Sequence, residues 1–399
     1  MIVAPHPDDE SLGAGSFIYR SSKSGDEVRI VLMTTGDGFV QDAERYYLSL
    51  HVEAQEYLHL GYERQLEVQR AMNKLEVGSD KIQCLGFPDG GLDHLLLHFD
   101  ASEPFVSQTT QECSVPYINI PTYQTPYGGQ NLLRLLLKEL KEFRPDWLIS
   151  PVLVDQHPDH WATSAFATLA LLQCQAEGLS WADKTQHYGY LIHWTGWPLP
   201  LGYHPESQME IPPALKGYPF LHWNDERYGE REIQAKRHAL LEHDSQVELI
   251  KPFLQAFARR NEIFARVTPL PLGPRTVFPR PKADTLAKLL HKDFGLIGSE
   301  WWFDGIHLHV VLDVNIRSSW GIRLAIFAIG DDIQFFAVDA KNTSSNRVAL
   351  REDSVEFSWP WRARPGMDRR YYVMGAVVHD ETGKVITRTG FWPWSHWKT

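Results

Sequence analysis

Short apolar runs alternate with amphipathic stretches through the first two thirds of the chain. IVAP (2–5) reads as a strand, followed by a helix from about Glu10 to Ser22. VRIVLMTT (28–35) is apolar and rich in β-branched residues, the pattern of a strand buried on both faces. Residues 42–76 carry two helical stretches that break near Gly61, and KIQCLGF (81–87) reads as a third strand. QNLLRLLLKELKEF (130–143) has helical period, DWLISPV (146–152) follows as a strand, HWATSAFATLALLQC (160–174) as a helix and HYGYLIHW (187–194) as a strand. A late helix is expected over roughly 226–260. Alternation of this kind predicts an α/β fold, a mostly parallel sheet flanked by helices.

The pattern fails in one place and changes in another. Residues 92–130 are polar, contain Pro104, Pro116, Pro121 and Pro126, and show no period; a loop that long reads as a rim over a site. PLPLGPRTVFPRPK (269–282) is proline-rich and reads as a stiff boundary. Beyond it HLHVVLDVNI, RLAIFAIG, IQFFAVDA, SVEFSWPW, RYYVMGAVVHD and KVITRTGFW are short runs separated by GDD, KNTSSN and ETGK turns, which predicts an antiparallel β-sandwich. The domains expected are 1–268 (α/β), 269–296 (proline-rich linker and short helix) and 297–399 (sandwich).

Composition narrows the class. With 43% hydrophobic and 22% charged residues the 399-residue chain is of the globular type, and its length suggests more than one core. A net charge of −11 argues against a nucleic-acid partner and against anionic lipid. No window is apolar enough for a transmembrane segment, and no signal peptide is evident. The first strand is so short that a trimmed upstream segment is one reading. Three widely spaced cysteines, Cys84, Cys113 and Cys174, point to reduced thiols and a cytoplasmic location. The sequence does not fix the oligomeric state.

The candidate chemistry sits at two strand ends. APHPDDE (4–10) closes the first strand and QHPDH (156–160) the fourth, and parallel sheets build sites at the carboxyl ends of their strands. Together the clusters supply two histidines and one aspartate for a borderline-soft divalent metal with an open position for water, leaving Asp8 and His157 as acid–base groups. Asp8, Asp9 or Asp159 could instead cap helices. Two separated His-Pro-Asp segments, each at a strand end, favour the metal.

The two motifs resemble those of the PIG-L/LmbE family of zinc-dependent N-acetylglucosaminyl deacetylases, over about residues 1–265. The resemblance implies a Rossmann-like fold and Zn2+ (or Fe2+ or another divalent ion) held by His6, Asp9 and His160. Asp8 would then be the base that activates the metal's water, and His157 the protonated residue that assists the tetrahedral intermediate. Asp159 would stand behind the ligands. RQLE (64–67) and GFPDGGL (86–92) resemble family segments that make Arg64 and Asp89 candidates for binding sugar hydroxyls. TTGDG (34–38) and KRHALLEHDSQ (236–246) match more loosely. Where some members carry a tyrosine, two residues before the second motif, this chain has Asp155. The implied activity is removal of N-acetyl groups from an amino sugar or its conjugate. Alternatives are hydrolysis of a non-sugar amide, or sugar binding with a vestigial metal site. His193 could line the site, but it and His243 read more readily as core histidines or as ones standing behind the site residues.

Eight of the fourteen tryptophans fall at or after residue 301. They could stack on sugars, but a sandwich core or a docking face is the favoured reading.

Overall fold

The computed structural model describes residues 1–38, 52–281, 295–314, 320–339, 348–350, 353–361 and 369–396. Two compact units are present: residues 1–167 with 184–211 and 223–266, and residues 168–183 with 212–222 and 267–399.

In the first unit the central sheet is built from β1 (Ile2–Ala4), β2 (Ile30–Thr34), β3 (Ile82–Phe87), β4 (Trp147–Pro151), β5 (Gln186–Tyr190), β6 (His222–Arg227) and β7 (Asn261–Arg266). Their order is β3-β2-β1-β4-β5-β7-β6. The pairs β1–β2, β2–β3, β1–β4 and β4–β5 are parallel, and β5–β7 is antiparallel. This is the α/β architecture, mostly parallel with flanking helices, that the apolar–amphipathic alternation predicts. Every residue of β1 and β2 is buried, as a strand covered on both faces requires. The order reverses direction between β1 and β4, so the loops leaving these two strands border one crevice.

The helices are α1 (Asp9–Ser24), α2 (Ala54–Lys74), α3 (Leu92–Leu97), α4 (Gly129–Phe143), α5 (Pro158–Ala176), α6 (Glu230–Leu240) and α7 (Asp244–Gln255). Several boundaries differ from expectation. Gly61 does not break a helix; α2 runs through it, and a Cβ there would collide with the Tyr117 hydroxyl, so this glycine answers close packing. The earlier part of that helical stretch, 42–51, lies outside the described residues. The aperiodic region 92–130 opens with α3, whose first amide, Leu92 N–H, donates to the distant carboxylate of Asp159 at 2.9 Å. The single helix expected over 226–260 is instead the end of β6, then α6 and α7. Its polar run offers no apolar period to mark an edge strand, and the chain reversal at Leu241–His243 has no glycine or proline.

The proline-rich stretch holds two short strands, β8 (Leu270–Leu272) and β9 (Thr276–Phe278). The rest of the second unit adds β10 (Gly298–Phe303), β11 (His307–Asp313), β12 (Gly321–Ile329), β13 (Ile333–Asp339), β14 (Val348–Leu350), β15 (Ser354–Pro360), β16 (Tyr371–His379), β17 (Val385–Arg388) and β18 (Trp392–His396). One sheet runs β14-β15-β11-β10-β9 and the other β13-β12-β16-β18-β8, with β17 on β16. β8 and β9 are edge strands, the place where proline's missing N–H costs no ladder bond. The short helix expected before residue 296 falls outside the described residues.

Trp301, Trp359, Trp361, Trp392 and Trp394 are buried. Rings meet across the two sheets: Phe278 stacks on Trp392 at 4.5 Å, and Trp361 meets Tyr372 edge-on at 4.7 Å. Those five indoles are core and offer no exposed face to a sugar.

Candidate active site

β1 delivers His6, Asp8 and Asp9 into the crevice, and β4 delivers Asp155, His157, Asp159 and His160. His6 Nδ1 lies 3.0 Å from Asp9 Oδ2, and His160 Nε2 lies 3.2 Å from the same oxygen. The three residues the resemblance implies as ligands therefore meet at one carboxylate oxygen. On the far side of the His6 ring, Nε2 lies 3.0 Å from Asp159 Oδ2 and 3.1 Å from Asp89 Oδ1. Among the described residues of the crevice, groups whose ligand atoms lie within 4.8 Å of one another are His6–His157–His160, Asp9–His160–His193 and His6–Asp89–Asp159; the expected trio His6–Asp9–His160 is not one of them, its members being shared among these groups. His193, which reads from sequence as a core histidine or one standing behind the site, belongs to this cluster, its ring 4.5 Å from that of His160.

These residues fit a metal. His160 is fully buried, yet neither of its ring nitrogens makes a hydrogen bond. Buried polar atoms are nearly always bonded, so such a ring facing Asp9 and Asp155 has room in its chemistry for a cation. Imidazoles with carboxylates suit a borderline divalent ion.

The electrostatics reflect the crowding. Burial pushes the His6 imidazole down, but Asp89, Asp159 and Asp9 more than offset this and hold it well above its ordinary range. Burial likewise opposes the charge on His160, while Asp9 and Asp155 raise it to about 9. Asp9 is held well below the carboxylate range, His160 and His6 outweighing its burial. Asp155, also buried, is lowered to about 2 by His160 and by amides, accepting Ile192 N–H at 2.9 Å and His193 N–H at 3.0 Å. At 3.4 Å from His160 Nδ1, Asp155 orients that ring. The resemblance implies a protonated His157; here burial, then the charges of His6 and His160, push it down to about 4.

Asp8 is the strained residue, with φ 128°. That region is costly for any residue with a Cβ and persists only where neighbours enforce it. Asp8 N–H donates to Glu10 at 3.1 Å, and Arg64 Nη2 reaches the carboxylate at 3.3 Å. Burial and the adjacent Asp9 raise Asp8 well above the ordinary range, against the pull of Arg64. Arg64 is 3% exposed and also donates to Gly36 O at 2.9 Å and Pro7 O at 2.7 Å. It thus lies beneath the His-Pro-Asp turn. Asp89 accepts Gly38 N–H at 2.8 Å besides facing His6. Asp159 accepts Gly90 N–H at 2.7 Å. Glu10 and Asp155 carry no role in the sequence reading, although both lie inside the quoted motifs or beside them.

The turn is pinned from behind. α1 kinks at Ala14, which takes non-helical φ −144° and ψ 17°. Ser16 and Phe17 N–H donate instead to Glu262 at 2.8 and 3.0 Å, while Lys236 Nζ donates to Leu12 O and to Glu262, each at 2.7 Å. A Cβ at Gly15 would meet Lys236 Cγ at 2.9 Å, so this approach needs glycine.

The family model for PIG-L, GlcNAc-PI de-N-acetylase, matches residues 1–171, a segment that holds both clusters. Over this segment, under half of its length, the chain is similar to that family. The match ends before residue 265, the limit of the resemblance in the sequence. No curated protein matches the chain. Among solved structures, the conserved protein TT1542 from Thermus thermophilus is 22% identical with a TM-score of 0.38, covering 68% of this chain and 94% of its own. The N,N'-diacetylchitobiose deacetylase of Pyrococcus horikoshii is 21% identical with a TM-score of 0.38, covering 67% and 82%. The A40926 pseudoaglycone deacetylase Dbv21 is 17% identical with a TM-score of 0.42, covering 66% and 96%.

Proposed function

We propose that this PIG-L-type chain is a metal-dependent N-deacetylase, acting on an N-acetylglucosamine-type amino sugar or glycoconjugate. The observation that carries it is the contact of His6 and His160, from the ends of two adjacent parallel strands, with one oxygen of Asp9, inside a buried cluster of histidines and carboxylates. His6, Asp9 and His160 would hold Zn2+ or a similar divalent ion, which when bound polarises an amide carbonyl and acidifies water. Asp8, held in place by Arg64 and Glu10, takes the proton of the attacking water. His157 faces the same crevice and stabilises the oxyanion. The C–N bond breaks as the nitrogen regains a proton from Asp8 or His157, giving acetate and a free amine. Arg64's bonds to Pro7 and Gly36 favour a positioning role over contact with sugar; Asp89, nearer the rim of His6, is the better candidate for a hydroxyl partner.

The remaining expectations are kept as part of this reading: a deacetylase domain over 1–268, a junction over 269–296 and a β-sandwich accessory domain over 297–399. The aromatic contacts between the two sheets support the sandwich. Three free cysteines support a reducing, cytoplasmic setting.

The test is amine release. Purified full chain with added Zn2+ is offered a panel of N-acetylglucosaminides beside Asp8→Asn. Amine from wild type, reduced at least about 100-fold in the variant, is expected. No amine from any acetylated sugar, with zinc bound, overturns the sugar substrate; equal rates overturn Asp8 as the base.

A further inference from the structure

We propose that the turn between β10 and β11 in the second unit holds a separate divalent-cation site, made by Asp304, His307 and His309. One ligand atom from each lies within 4.8 Å of the others. Ligand atoms around a tetrahedral ion at about 2.0–2.2 Å sit roughly 3.3–3.6 Å apart, so small side-chain adjustments, a slight opening of Asp304 from His309 and a slight closing of His307, complete the geometry. Two imidazoles and a carboxylate suit Zn2+, Ni2+ or Cu2+ rather than Ca2+ or Mg2+.

The placement follows from local sequence. DGIHLH (304–309) puts histidines at alternate positions of a strand, so both side chains leave the same face. Gly305 takes φ 95°, which closes the tight reversal and sets Asp304 opposite His307. Asp304 Oδ1 accepts Ile306 N–H at 2.8 Å and His307 N–H at 2.7 Å, which fixes the carboxylate. Its other oxygen then lies 2.9 Å from His309 Nε2 and 3.8 Å from His307 Nδ1. His309 is only partly exposed and its ring lies flat on Trp302, 4.7 Å away, so little side-chain freedom is left to lose on binding. One cation is near: Arg275 sits 5.1 Å over the Trp302 ring, but it is paired with Glu300, which offsets its charge. None of these residues belongs to the crevice in the first unit, so the site stands apart from the deacetylase reading.

The competing explanation is a plain turn in which Asp304 merely hydrogen-bonds His309. Zn2+ binding to the full chain separates the two. Metal-free wild type and His307→Ala/His309→Ala are titrated by calorimetry, with bound zinc counted by mass spectrometry. Cu2+ at one equivalent is read by electron paramagnetic resonance. The expectation is that the double variant binds one equivalent fewer and loses a copper signal coupled to two imidazole nitrogens. Asp304→Asn should weaken this equivalent at least tenfold. If the double variant folds poorly, the more exposed His307→Gln alone carries the test, its copper signal then coupled to one imidazole nitrogen instead of two. Equal stoichiometry in wild type and variants, or Asp304→Asn indistinguishable from wild type, would overturn the site. Amine release by these variants should equal wild type, so a failed deacetylase reading leaves this count unaffected.

Discussion

Lys236 and Glu262 give the sharpest prediction about the architecture behind the His-Pro-Asp turn. Both are nearly fully buried, and a buried ion pair can often be replaced by apolar residues at little cost. Here that should fail. At the Ala14 kink Leu12 O accepts from Lys236, and Ser16 and Phe17 N–H donate to Glu262, so the pair holds three backbone groups there. Lys236→Met leaves the carboxylate without its counter-charge and should cost about 3–5 kcal/mol. In Lys236→Met/Glu262→Leu the charges are gone but three backbone groups are orphaned, at about 1–3 kcal/mol each. The double variant should therefore remain at least about 3 kcal/mol below wild type. Native-state hydrogen exchange over residues 9–24 reads this locally, without assuming that a two-unit chain unfolds in one step. A loss of about 3 kcal/mol corresponds to exchange roughly 160 times faster. Exchange within about fivefold of wild type in the double variant would refute the link between the pair and the kink.

Three further outcomes are expected. His187 is buried beside Ser150, and burial alone lowers it to about 3 from its ordinary 6.5. The unfolded chain therefore binds the proton first as pH falls below about 6.5, and stability is lost down to about pH 3. Between pH 7.5 and 5.0, wild type should lose about 2 kcal/mol more than His187→Gln in urea unfolding of the first unit, and equal losses would refute the assignment. His160→Ala should bind one equivalent of Zn2+ fewer than wild type and release no amine; an unchanged metal count would remove His160 from the ligand set. Trp301→Ala empties the aromatic core of the second unit and should cost about 3–5 kcal/mol, seen as a lowered thermal transition. Lost polysaccharide retention with an unchanged transition would restore the sugar-stacking reading.

Sequence alone determined the parallel part of the sheet and the two places where chemistry collects. Strand periodicity is local, and a charged cluster directly after an apolar run marks a strand end wherever it occurs; this is why His6, Asp9, His157 and His160 are legible. Tertiary structure decided what depends on partners far apart in the chain. Asp155 becomes the carboxylate behind His160, and His193 a member of the cluster, because β4 and β5 are neighbours. Arg64 reads from its motif as a candidate for binding sugar hydroxyls, and only the approach of Pro7 and Gly36 makes it a buried neighbour of Asp8. Gly61 reads as a break because a glycine's local preference says nothing of a tyrosine 56 residues later packing against it. The prolines of 269–282 signal a boundary locally, but whether such a segment hangs free or serves as edge strands depends on two sheets it must meet. The kink in α1 has no local signal beyond two glycines, since the side chains that bond its backbone, Lys236 and Glu262, lie more than 200 residues away.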